Sequence, residues 1–140
     1  MNRLDGVFIA VVFAHLGAVL VHTVAHLALQ ILPAPADTVF ILAVILIAPV
    51  ATLPILRFNR PLASGLLAVV MAAAFVYGME GHFLVPGPDS VSIVASDPWT
   101  FVFVVSGAVI GALELAAVFV AAVVFSRALR SPSASREQSG

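Results

Sequence analysis

Four long apolar segments alternate with short polar interruptions along the chain. They cover about residues 4–32, 38–56, 61–84 and 98–126. A helix needs roughly 20 residues, at a rise of about 1.5 Å each, to cross the hydrocarbon core of a bilayer. Because backbone polar groups in lipid must be satisfied within the segment, we expect helices and not open strands. The pattern predicts an all-α, polytopic membrane protein with four transmembrane helices.

The interruptions between these segments are short and rich in Pro, Asp, Asn and Arg. Short connections favour antiparallel packing of consecutive helices, which predicts one four-helix bundle over residues 1–130. Pro49 and Pro54 each remove a backbone donor, so we expect a kink in the second helix. Asp97 followed by Pro98 predicts the start of the fourth helix, with Asp97 as its N-cap. Residues 131–140 are small and polar, which predicts a disordered tail.

Composition supports the bilayer as the main environment of this chain. It is 62% hydrophobic and 9% charged, whereas a soluble domain has about 25% charged residues. The net charge of -1 argues against a nucleic-acid partner. The absence of cysteine excludes disulfides, thiolate metal sites and cysteine nucleophiles. The expected partners are therefore lipid, further copies of the chain, or a larger membrane complex.

Charged residues separate to opposite ends of the predicted bundle. One end carries five arginines: Arg3, Arg57, Arg60, Arg127 and Arg130. The other end carries four acidic residues: Asp37, Glu80, Asp89 and Asp97. Because arginine and lysine are enriched in cytoplasmic loops, both termini are predicted to be cytoplasmic in a multi-pass protein of the cell membrane.

The first helix contains a polar stripe on an otherwise apolar surface. His15, His22 and His26 are spaced by seven and four residues, which places them on one face at about 100° per residue. Thr23 and Gln30 flank the same stripe. Since lipid offers no hydrogen-bond partner, this face is expected to point into the bundle.

Counting along the helices predicts two levels of polar groups. Near the outer face, His26 approaches the level of Glu80 and His82 on the third helix, and His22 lies just below. Near the midplane, Glu114 lies close to the level of His15.

Glu80 and His82 cannot both point into the bundle from a regular helix. They are separated by about 200° around its axis, so both cannot face one interior point. Gly78 and Gly81 could allow local unwinding. We expect His82 to be the residue that faces inward if a metal or haem is bound.

These residues support a hypothesis of an intramembrane cofactor site. Imidazole is a ligand for Zn, Cu and Fe, and a carboxylate can complete the set. The candidate ligands are His22, His26, His82 and Glu80. Haem b would instead take one histidine from each of two facing helices, with the small residues of the bundle leaving room for the macrocycle.

Three alternatives need no such cofactor. The histidines can simply hydrogen-bond across helices, to groups such as Ser106 or Glu114. Glu114 and His15, with Thr23 and Gln30, can form a polar network that conducts protons or a small solute through an oligomer. The chain can also be an accessory subunit of a larger complex. Gly107 and Gly111, at a spacing of four, are predicted to serve helix packing.

Overall fold

The computed structural model describes residues 3–87, 89–94 and 96–130. Within them, four long helices follow one another: α1 (Arg3–Ala28), α2 (Pro35–Phe58), α3 (Arg60–Leu84) and α4 (Pro98–Leu129). Each is long and apolar enough to cross a membrane, so the predicted all-α class with four candidate spans is confirmed. The cytoplasmic location of the termini stays a prediction, and the tail 131–140 lies outside the described residues.

The ends of the helices follow from local capping chemistry. The Asp97 side chain accepts a hydrogen bond from the Trp99 backbone N–H, and Thr100 completes a capping box. The prediction that Asp97 caps α4 is therefore confirmed. The Asn59 side chain caps α3 by accepting from the Leu62 backbone N–H.

Helix α1 ends four residues before the predicted end at residue 32. Gln30 adopts a left-handed conformation with φ of 57°. The backbone N–H groups of Gln30 and Ile31 donate to the carbonyls of Leu27 and His26, which is the hydrogen-bond pattern of a Schellman motif. Gln30 therefore terminates the helix, and its side chain is exposed.

Two segments of the bundle are wound as π-helix. The first, Ile41–Ile47 in α2, comes just before Pro49, which has no N–H to donate to the Ile45 carbonyl. The second, Glu80–Leu84, forms the last turn of α3, where the Val85 N–H donates to the Glu80 carbonyl at 2.9 Å. Such π turns are frequent at functional sites.

Helix α4 is at the centre of the packing and contacts both α1 and α3 extensively. Helix α2 packs on α3, but α1 and α2 contact each other little, although they are consecutive. This departs from the expectation that each helix packs on its neighbour in sequence. The main apolar core lies between α1, α3 and α4, and includes Phe8, Leu67 and Ala117.

An ion pair joins the first turns of α1 and α3. The Arg60 guanidinium, at the start of α3, donates to the Asp5 carboxylate in the first turn of α1. The two helices therefore begin at the same end of the bundle, and their carboxyl ends lie together at the other end. The candidate site lies at that second end.

Candidate metal centre

Three histidines from two helices converge where α1 and α3 end. His22 Nε2 lies 3.1 Å from His26 Nε2 and 3.3 Å from His82 Nε2. One ligand atom from each of the three lies within 4.8 Å of the others. His22 is buried, and the other two are half-buried. We call these three residues the histidine cluster; their arrangement can hold a metal ion.

The π turn of α3 brings His82 into this cluster. Glu80 lies on the opposite side of the turn, where it is exposed, so the structure turns His82 inward and Glu80 outward. Gly78 and Gly81 do not unwind the helix, and no described glycine has a positive φ. The change from α to π winding, and not a break, accommodates the irregular end that the sequence suggested.

Two of the imidazole rings donate hydrogen bonds to backbone carbonyls through the nitrogen that faces away from the cluster. His26 Nδ1 donates to the Ile31 carbonyl at 3.1 Å, and His82 Nδ1 donates to the Asp89 carbonyl at 3.0 Å. A carbonyl can only accept, so each Nδ1 must carry its hydrogen. In the neutral ring the Nε2 atom is then an acceptor with a free lone pair.

Ser106 of α4 gives the same protonation pattern to His22. His22 Nδ1 lies 2.9 Å from Ser106 Oγ. The Ser106 hydroxyl donates its hydrogen to the Val102 carbonyl at 2.6 Å, which leaves the oxygen free to accept from His22 Nδ1–H. In all three neutral rings the lone pair is therefore on Nε2, the nitrogen on the side of the cluster.

Neutral rings in this arrangement have no hydrogen to share between their Nε2 atoms. A cation between the lone pairs would resolve this. At a metal–nitrogen distance of about 2.0–2.1 Å, tetrahedral ligands lie roughly 3.4 Å apart. Two of the three separations, 3.1 and 3.3 Å, are close to that value, and all three lie within 4.8 Å. Outer hydrogen bonds from Nδ1 are also usual for metal-bound histidine.

Phe103 of α4 packs against the whole histidine cluster. Its ring stacks on His22 with centroids 4.9 Å apart, and lies 5.0 and 5.2 Å from the His26 and His82 centroids. It is 1% exposed. Sequence reasoning missed Phe103, because a phenylalanine in an apolar helix carries no signal of a special role.

A second polar pair lies deeper in the bundle. His15 Nε2 and Glu114 Oε1 are 3.3 Å apart, and both side chains are buried. His15 Nδ1 has no hydrogen-bond partner within the described part of the chain. Of the other two residues of the predicted network, Thr23 lines the same cavity as Glu114, and Gln30 does not. The exposed Thr23 donates to the Val19 carbonyl of its own helix, and Gln30 is the exposed residue that ends α1.

A cavity of about 170 Å³ connects the two polar levels. The histidine cluster and Glu114 both line it. Gly107 and Gly111 line it from α4, at points where a Cβ atom would lie 3.3 Å from His22 Cε1 and 3.6 Å from Phe75 respectively. These glycines lie against the cluster and the cavity as well as between helices.

Comparison with known proteins gives no further guidance. A scan of protein-family models, a search of curated proteins and a search of solved structures each gave no match.

Proposed function

We propose that this chain is an integral membrane metalloprotein that binds one first-row transition-metal ion near the outer membrane face. The ligands are the Nε2 atoms of His22, His26 and His82. The observation that carries the proposal is the close approach of three imidazole nitrogens from two helices, whose Nδ1 atoms are hydrogen-bonded to the Ile31 and Asp89 carbonyls and to Ser106 Oγ. These bonds leave the Nε2 lone pairs available to a metal, and imidazole nitrogen suits Cu, Zn and Fe.

The cluster suits an ion better than haem b. A haem with two axial histidines needs its ligands on opposite faces of the macrocycle. Here His22 Nε2 lies 3.1 Å from His26 Nε2 and 3.3 Å from His82 Nε2, and the three ligand atoms all lie within 4.8 Å of one another. Inserting a porphyrin would require the helices to separate, whereas an ion requires only small shifts of the rings.

Three protein ligands leave a fourth position for water or a substrate. Metal sites of this kind are typically reactive, while structural sites are closed by four protein ligands. All three histidines line the cavity, which gives the fourth position a route inward. The open fourth coordination position therefore supports a redox or substrate-binding role for the metal more than a purely structural one.

Metal analysis of the purified protein tests this proposal. Protein extracted in mild detergent should contain about one Cu, Zn or Fe per chain. The variants His22→Ala, His26→Ala and His82→Ala should each lose it, since two imidazoles hold an ion far less firmly than three. Glu80→Gln is the matched control and should keep its metal, because Glu80 is exposed outside the cluster.

An absorption spectrum of the same samples separates haem from a simple ion. A Soret band that disappears in His82→Ala would replace the ion in this proposal by haem b. Protein with neither metal nor haem, and with no uptake of added Cu²⁺, Zn²⁺ or Fe²⁺, would contradict a cofactor role altogether.

The buried His15–Glu114 pair favours a second candidate, a proton or small-solute pathway through an oligomer. Ionisable groups inside membranes commonly mark such routes. The chain in liposomes would then carry a proton flux that Glu114→Gln abolishes. Equal flux in the variant would contradict this candidate.

An accessory role would instead be supported by co-purification with a larger complex.

A further inference from the structure

The cavity beneath the histidine cluster has polar groups at its two ends and apolar walls between them. Along α4, Ser106 at the cluster level and Glu114 are eight residues apart, which is roughly 12 Å of helix. The walls between the two levels are formed by residues from all four helices: Val19, Ile45, Ala74, Phe75 and Ile110. A ligand that fills this space must be mostly apolar and must end in polar atoms on opposite sides.

The volume of the cavity limits the ligand to a single ring. A dry cavity of about 150 Å³ in another protein accommodates benzene, and this one measures about 170 Å³. Opposite oxygen atoms on a six-membered ring lie about 5 Å apart. With a metal–oxygen bond of about 2 Å at one end and a hydrogen bond of about 2.7 Å at the other, such a ring spans roughly 10 Å, which fits within the roughly 12 Å of helix between the two levels.

Glu114 supplies the polar group at the inner end. It is 2% exposed and lines the cavity, while one of its oxygens contacts His15 Nε2. His15 Nδ1 has no partner within the described residues. Buried polar groups in lipid-embedded proteins are usually functional, and this pair can accept or donate a hydrogen bond at the inner end of a ligand.

Next to the connection between α1 and α2, the cavity is lined by residues that also lie on the outer surface of the bundle. These two helices contact each other little. Leu27 and Leu32 line the cavity and are 60% and 71% exposed on the outer surface of the bundle. An apolar chain attached to the ring can therefore leave through this gap into the lipid.

We propose that the cavity binds the head group of a lipid-soluble quinone or quinol. One ring oxygen faces the fourth position of the metal centre, and the opposite oxygen hydrogen-bonds to Glu114. The isoprenoid or alkyl chain leaves between α1 and α2. The proposal rests on the proposed metal function, since the outer oxygen needs the metal as its partner.

Binding of a benzoquinone with a decyl chain to the metal-loaded protein in nanodiscs tests the inference. Isothermal titration calorimetry should show saturable binding to the wild-type protein. Glu114→Leu should weaken it by about tenfold or more, because one ring oxygen loses its partner. Glu114→Gln retains a hydrogen-bonding group and should stay within a few-fold of wild type. Glu80→Leu, on the exposed carboxylate, should bind like wild type.

Metal content measured on the same samples distinguishes the two proposals. Metal-loaded protein that shows no saturable quinone binding, or equal affinity in Glu114→Leu and wild type, would overturn the quinone site and leave the metal centre intact. Protein that takes up no metal would overturn both. If Glu114→Leu does not fold, Gly111→Leu is the second variant, because its side chain fills the cavity from α4. It is expected to abolish quinone binding and to keep the bound metal, and quinone binding at wild-type affinity would overturn the quinone site.

Discussion

At the scale of single residues, Ser106 is the side chain that fixes the orientation and protonation of His22. Ser106→Ala removes the acceptor of His22 Nδ1–H and leaves the three metal ligands in place. Loss of such an outer hydrogen bond typically lowers metal affinity by about 10–100-fold, and we expect a change of that size in competition with a chromophoric chelator. Ser126→Ala, an exposed serine of the same helix, is the matched control. Equal affinities in the two variants would contradict the role of Ser106.

Gly107 is a second position where adding one side-chain atom is expected to change metal affinity. An added Cβ would lie 3.3 Å from His22 Cε1, which is tighter than most such contacts, whereas the Cβ of an alanine at Gly111 meets Phe75 at an ordinary 3.6 Å. Gly107→Ala is therefore expected to displace His22 and reduce metal affinity several-fold. Gly111→Ala should keep wild-type affinity in the same chelator competition. The reverse order would show that the contact at His22 is not limiting.

The sequence predicted the ligands of the cluster better than their supports. Helical spacing placed His22 and His26 on one face, and depth counting brought His82 to their level. The acceptors behind His26 and His82 are backbone carbonyls of Ile31 and Asp89, beyond the ends of α1 and α3. Every residue has a carbonyl, so no residue type marks these two acceptors.

At the scale of elements, the π turn Glu80–Leu84 sets the register of His82. Deleting Gly81 moves His82 one position earlier in the helix, a rotation of up to about 100° around its axis. We expect the deletion to reduce bound metal to the level of His82→Ala. Gly81→Ala keeps the residue count and adds a Cβ with nothing within 4 Å, so it should bind metal normally. Full metal content in the deletion variant would contradict this assignment.

The helices themselves were predictable because lipid imposes length and apolar composition on them. The residues at which the helices begin and end were less predictable. Asp97 and Pro98 gave a clear start for α4, but apolar residues continue beyond Ala28, and only the left-handed Gln30 ends α1. The weak packing of α1 on α2 was also not visible, because short connections indicate neighbours without giving the extent of their contact.

At the scale of the whole molecule, charge is expected to set the orientation in the membrane. Arg57, Arg60 and Arg127 gather around one pocket at the end opposite the histidine cluster, which predicts that this end is cytoplasmic. Because the chain has no cysteine, single cysteines can be labelled without background. In intact cells, a membrane-impermeant maleimide should label Ser96→Cys, while Phe58→Cys should react only after permeabilisation. The opposite labelling would place the histidine cluster at the cytoplasmic face.

Metal binding should also stabilise the bundle as a unit, because the ligands join the ends of α1 and α3 and are supported by α4. A ligand that binds only the folded state at a free concentration of 100 times its Kd adds about 2.7 kcal/mol to the free energy of unfolding. Thermal unfolding in detergent should therefore move to higher temperature with excess metal and return with a chelator. His22→Ala should show no shift. His15→Ala is the control in the same helix as His22. It removes the buried partner of Glu114 on α4, so this variant should unfold at lower temperature and still respond to metal. An equal response in His22→Ala would mean that the stabilising ion binds elsewhere.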